Sequence, residues 1–140
     1  MLAKFDETLI TGNEMIDEQH KELIEKINAL LISCEDHANK VGAVKMLDYL
    51  AEYTDYHFSA EEKLQEEIGY PGIKEHKEKH AELKKVVKEL HEMLEEEEGP
   101  TEAFVESVNK NVTEWLYYHI KTFDRSVAEY RFMRDHSDRL

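Results

Sequence analysis

Residues 73–97 read IKEHKEKHAELKKVVKELHEMLEEE. In this stretch Ile73, His76, His80, Leu83, Val87, Leu90 and Leu94 step by three and four, the spacing that puts side chains on one face of an α-helix. The face is apolar except at the two histidines, which lie one above the other at a separation of four residues. Imidazole nitrogens on a face that must be buried cost free energy unless something pairs with them. A second polar feature on the same face of another helix would turn that cost into a site.

Three further segments carry the same conflict. Residues 14–36 present Ile16, Leu23, Ile24, Ile27, Leu30, Leu31 and Cys34 on one stripe, with His20 among them. Residues 43–67 present Leu47, Leu50, Thr54 and Leu64, with His57 and Glu61. Residues 101–124 present Phe104, Val105, Val108, Val112, Trp115 and Leu116, with His119 and then Asp124. Thr11-Gly12-Asn13, Gly69-Tyr70-Pro71-Gly72 and Gly99-Pro100 punctuate the segments, and Thr101 is placed to cap the last one. Helices of even length joined by short loops pack as antiparallel neighbours, so the expected fold is an all-α, up-down-up-down four-helix bundle. Residues 1–13 form an N-terminal arm, with Phe5, Leu9 and Ile10 tucked against the bundle. Residues 125–140 form a C-terminal extension, which either continues the last helix or makes a short segment of its own.

Composition agrees with this organisation. A chain of 140 residues suits a single domain with one core, and 5 glycines and 2 prolines leave long helices uninterrupted. The net charge of −14 disfavours nucleic acid and anionic membrane as partners. The lone Cys34 rules out an intrachain disulfide, which fits a reducing compartment, and the first residues carry no apolar leader. The expected location is cytoplasmic. No glycine-rich phosphate loop and no serine or cysteine nucleophile with a positioned base stands out.

In an antiparallel bundle His20, His57 with Glu61, His76 with His80, and His119 with Asp124 all fall at one end. Seven donors are too many for one tetrahedral zinc and suit two ions bridged by the carboxylates. A shell rich in imidazole favours iron over magnesium or calcium, which prefer oxygen. His119 and Asp124 are five residues apart, about 140° out of phase on a regular α-helix. If both are ligands, the helix must bulge or end between them.

The stretches IDEQHKEL at 16–23, HFSAEE at 57–62, HKEKH at 76–80 and WLYYHIKTFD at 115–124 resemble the hemerythrin family, in its single-domain bacterial form. The likeness runs from about Phe5 to Asp124, although Phe5 stands where many relatives carry tryptophan. The resemblance implies two iron ions, bridged by Glu61, Asp124 and an oxo or hydroxo group. His76, His80 and His119 would complete one ion and His20 with His57 the other, so that the second keeps an open position. It implies a dry pocket for dioxygen lined by Phe58, Leu83, Trp115 and Leu116. The implied function is reversible binding of dioxygen, for storage, delivery or sensing, with no catalytic residue. The alternative is a diiron peroxidase or oxidase that reduces peroxide, oxygen or nitric oxide and needs an external electron donor. His37, His91 and His136 are expected to stand outside the ligand set, Asp17, Glu18 and Glu62 to support the ligands from behind or to lie on the surface, and Tyr53, Tyr56, Tyr117 and Tyr118 are candidates for bonding the ligand imidazoles.

Overall fold

Asn13, Asn39 and Thr101 each turn a side-chain oxygen onto a backbone N–H at the start of a helix. In the computed structural model, which describes residues 2–136, these caps open helices α1 (Glu14–Ser33), α2 (Lys40–Ile68) and α4 (Glu102–Val108). Helix α3 (Ile73–Glu96) follows the turn that Gly69 makes in the left-handed region at φ 66°, a conformation that disfavours any side chain. After α4 the backbone runs without a break through a π turn (Asn109–Thr113), α5 (Glu114–His119), a second π turn (Ile120–Asp124) and α6 (Arg125–Asp135). These segments together form the fourth helix of the bundle. Helix α1 packs on α2, α2 on α3, and α3 on the fourth helix, and no strand occurs among the described residues. The architecture is the expected antiparallel four-helix bundle.

Several boundaries differ from the sequence expectation. The first helix ends at Ser33 rather than near 36. The second begins at Lys40 rather than 43, because Asn39 caps it by accepting from Gly42 N–H, so Gly42 lies inside the helix and not in the connection. The fourth does not stop at Asp124 but runs to Asp135; residues 137–140 of the expected extension lie outside the described residues.

Leu23, Ile27, Leu30, Leu47, Leu50, Leu90, Leu94, Phe104 and Val108 fill the main core, away from the histidines, and Cys34 is buried there as an apolar filler. On the other side of the histidine layer lies a smaller apolar cluster of Ile16, Leu64, Ile68, Val127 and Ala128, edged by Tyr70 and Tyr130. Helix α6 supplies two of these residues, so the extension closes the end of the bundle beneath the polar layer. The arm is fastened over the same molecule. Asn28 holds Ala3 through both its amide atoms, at 2.7 and 2.9 Å. Tyr117 Oη bonds Lys4 N at 2.8 Å, and Asp17 accepts from Thr11 and Gly12. Of the three apolar arm residues, Leu9 is buried and Phe5 packs on the core, but Ile10 is half exposed, and its carbonyl accepts from Arg125.

Candidate metal centre

His20, His57, Glu61, His76, His80, His119 and Asp124 are each at most 2 % exposed, in a chain whose surface is strongly acidic. Helical periodicity accounts for the first five: His57 with Glu61 and His76 with His80 are one turn apart, and His20 faces them from α1. His119 and Asp124 meet because the turn between them is a π turn, in which the chain closes over five residues rather than four. The irregularity expected from their spacing is present at that place.

The donor atoms form two groups, each within 4.8 Å throughout. One is Glu61, His76, His80, His119 and Asp124; the other is His20, His57, Glu61 and Asp124. The two carboxylates belong to both. In the first group His76 Nε2 lies 2.9 Å from Glu61 Oε1, 2.9 Å from Asp124 Oδ1 and 2.8 Å from His119 Nε2, and His80 Nε2 lies 3.1 Å from Glu61 Oε1. In the second His20 Nε2 lies 2.7 Å from Asp124 Oδ2. An ion about 2.1 Å from each of several donors sets neighbouring donors about 3 Å apart when they are at right angles. The spacings match the edges of such a shell. His57 Nε2 and Glu61 Oε2 point at each other across 3.8 Å, and neither has a hydrogen-bond partner among the described residues. Two buried orphans facing across a gap are costly as they stand and are satisfied by a cation between them.

The electrostatics follow from crowding. Burial pushes the His57 imidazole down to about 3, helped by the neighbouring His20. Burial, with His76 and His119 beside it, pushes His80 down to about 2. Burial acts against a charge on His76 too, but hydrogen bonds to Asp124 and Glu61 outweigh it and lift that imidazole to about 9. Glu61 is driven well above the usual carboxylate range by burial and by the charge of Asp124. Burial also opposes the charge of Asp124, but His119 and His20 overcome it and hold this carboxyl well below the usual range. The lone pairs of His57 and His80, the two shared carboxyl groups and the protons held at His76 and Glu61 make a donor set ready for a divalent or trivalent cation, whose binding displaces those protons.

The outward-facing ring nitrogens of His57, His76 and His80 are held by side chains, whereas His20 Nδ1 has no hydrogen-bond partner among the described residues. His57 Nδ1 donates to Gln19 Oε1 at 2.7 Å, and His80 Nδ1 donates to Glu62 Oε2 at 2.8 Å. The Gln65 amide meets His76 Nδ1 at 2.9 Å, and a half-turn of that amide presents its unpartnered oxygen to the ring N–H. The candidate tyrosines do not do this. Tyr117 fastens the arm, Tyr56 and Tyr118 are exposed, and no hydroxyl of the four bonds a ligand imidazole among the described residues. The signal that could have found the glutamines is their position: Gln19 precedes His20, and Gln65 lies one turn beyond Glu61 on the same face.

Phe58 stacks on His80 with ring centres 3.8 Å apart and planes 4° from parallel. Trp115 stacks on His119 at 4.4 Å, and Phe123 covers the other face of that ring at 5.2 Å. Leu83 and Leu116 are buried in the main core. The other histidines stand apart: His91 pairs with Asp48, His37 bonds the Pro100 carbonyl, and His136 bonds the Phe132 carbonyl. No described helix is long and apolar enough to cross a membrane.

Comparison with known proteins points the same way as the geometry. Residues 11–130 match the family model described as "Hemerythrin HHE cation binding domain". A bacteriohemerythrin of Stenotrophomonas maltophilia (strain R551-3) is 30% identical over 141 residues, covering 96% of this chain and 89% of that protein. One from Campylobacter jejuni (serotype O:23/36, strain 81-176) is 29% identical over 127 residues, covering 90% and 93%. A solved chain described as a leucine-to-phenylalanine mutant superposes with TM-score 0.79 at 25% identity, over 91% of this chain and 95% of that one.

Proposed function

The chain belongs to the hemerythrin family, and from that premise we propose that it is a non-heme diiron protein that binds dioxygen reversibly. The observation that carries the reading is the sharing of Glu61 and Asp124 between two donor groups of unequal size. His76, His80 and His119 would hold one iron and His20 with His57 the other, for which the smaller donor group offers one protein ligand fewer. A position without a protein ligand is what an exogenous molecule needs. The irons supply the electrons that dioxygen binding draws on. The protein's part is to hold them, to fix His57, His76 and His80 from behind, and to keep water out.

Burial serves the last of these tasks. Phe58 and Trp115 lie flat on His80 and His119, Leu83 and Leu116 are buried in the main core and would extend that apolar lining, and α6 contributes Val127 and Ala128 to the smaller apolar cluster. A pocket of that kind favours release of dioxygen unchanged over its consumption.

The test is anaerobic reduction of the iron-loaded protein followed by exposure to oxygen, with iron counted per chain. Two irons and a visible charge-transfer band that appears with oxygen and fades on its removal are expected. Direct passage to a stable diferric spectrum would refute reversible binding. It would favour the peroxidase or oxidase reading, with peroxide turnover in the presence of a reductant as its own assay.

A further inference from the structure

The two ends of each ligand imidazole tell different stories. Toward the centre the rings are equivalent donors; away from it they are not. His57 is backed by the neutral amide of Gln19 and His76 by the neutral amide of Gln65, whereas His80 is backed by the carboxylate of Glu62 at 2.8 Å. Glu62 is itself a quarter exposed, so water can solvate the side chain without competing for the bond it makes inward. His80 is clamped in place as well: Phe58 lies flat on its ring at 3.8 Å. The rotation that would break the Glu62 bond is therefore blocked.

An N–H donating to a carboxylate is roughly twice as strong a hydrogen bond as one donating to a neutral oxygen, and it pushes electron density through the ring to the opposite nitrogen. We propose that Glu62 is a positioning residue that enriches only one of the two metal ions, the one served by His76, His80 and His119, and so makes the pair electronically unequal. The inference rests on the two-ion reading above. Its consequence is that the better-supplied ion, which already has the larger donor set, holds its higher oxidation state more firmly. Its partner, backed only through Gln19, is the more easily reduced and carries the open position.

Two measurements test this. In the first, protein stripped of metal is titrated with Co(II), whose visible spectrum reports each ion. The wild-type chain takes up two ions. E62Q, nearly isosteric and still able to accept the bond, also takes up two, while E62A loses roughly 10–100-fold in affinity at one site only. In the second, the reduction potentials of the iron-loaded proteins are compared. E62Q raises the potential of one iron; a tenfold loss of ferric over ferrous preference corresponds to about 59 mV. Adding Q65E to E62Q returns a carboxylate to the same ion through His76 and brings the potential back down. A role limited to packing or orientation would leave the E62Q potential where it was, since geometry and bond are kept. An unchanged potential in E62Q, or equal shifts at both irons, overturns the inference while leaving the diiron reading intact. A wild-type chain that takes up fewer than two Co(II) ions overturns the two-ion reading and this inference with it.

Discussion

In chelator-treated protein, replacing His76 by Gln should destabilise the fold by an amount that depends on pH in one definite direction. His76 stands between Glu61 and Asp124, 2.9 Å from an oxygen of each, and these contacts lift its imidazole to about 9 from an ordinary 6.5. A group whose folded value lies above its unfolded value stabilises fully below the unfolded one and loses that contribution as pH rises through the folded one. The window is therefore 6.5 to about 9. Each pH unit within it is worth about 1.4 kcal/mol for one proton, so the advantage of wild type over H76Q should shrink by about 3 kcal/mol across the window. Urea unfolding followed by far-ultraviolet circular dichroism, with both proteins measured at half-unit steps from pH 6 to 9.5, gives the difference directly. Taking a difference removes the background from the other acidic groups, which both proteins share. His57 and His80, held down at about 3 and 2, remain neutral in the fold throughout this window; they take up protons in the unfolded chain at its acidic end, a contribution common to both proteins that cancels in the difference. A difference that is constant with pH, or that grows toward alkaline pH, would refute the reasoning, because it would mean that the two carboxylates do not hold a proton on His76.

Three other outcomes are expected. His57→Ala removes one of two nitrogens from the smaller donor group and should lower bound iron from two per chain toward one, by elemental analysis; full occupancy would contradict the assignment of that ligand. His91→Ala breaks a part-exposed pair with Asp48 and should cost about 1 kcal/mol or less, with metal content and visible spectrum unchanged. Leu116→Ala opens space in the main core one turn from His119; it should cost about 2–5 kcal/mol in urea unfolding and shorten the lifetime of the oxygen-dependent band. A lifetime equal to that of wild type would place Leu116 outside the oxygen pocket.

What could be read from the chain divides along a physical line. Periodicity reports which side chains share a face, so the bundle, and the histidines and carboxylates on its buried faces, were open to inspection. The spacing of His119 and Asp124 was legible for the opposite reason: five residues do not fit one α-turn, and the mismatch itself called for the π turn at Ile120–Asp124. The other π turn, at Asn109–Thr113, carried no such mismatch, because no pair of polar residues there had to meet, and it left no mark in the sequence. The continuation of the fourth helix to Asp135 was left open for a related reason. Val127 and Ala128 are too few to make a stripe by themselves, and their partners Leu64 and Ile68 lie about sixty residues away, with Ile16 farther still on the first helix.

The partners of the ligand rings mark the same boundary from another side. A tyrosine hydroxyl and a glutamine amide are equally able to accept from an imidazole N–H, so residue type could not choose between them. What chose was reach and direction. Tyr56 and Tyr118 are exposed, and Tyr53 and Tyr117 pack against the core with the Tyr117 hydroxyl bonded to Lys4, whereas Gln19 and Gln65 are at most 8 % exposed and meet the ligand rings. A buried glutamine on an apolar face is costly in the same way as a buried histidine, and for the same reason. Searching the faces for every buried polar residue, amides as well as metal donors, would have included both. Glu62 is picked out by its place next to Glu61, but its carboxylate reaches His80 from the edge of its face and is a quarter exposed, so position alone does not separate a partner of the ring from a surface acid. What periodicity does not report is the direction of its one hydrogen bond, and the effect proposed for Glu62 comes from that direction and not from burial.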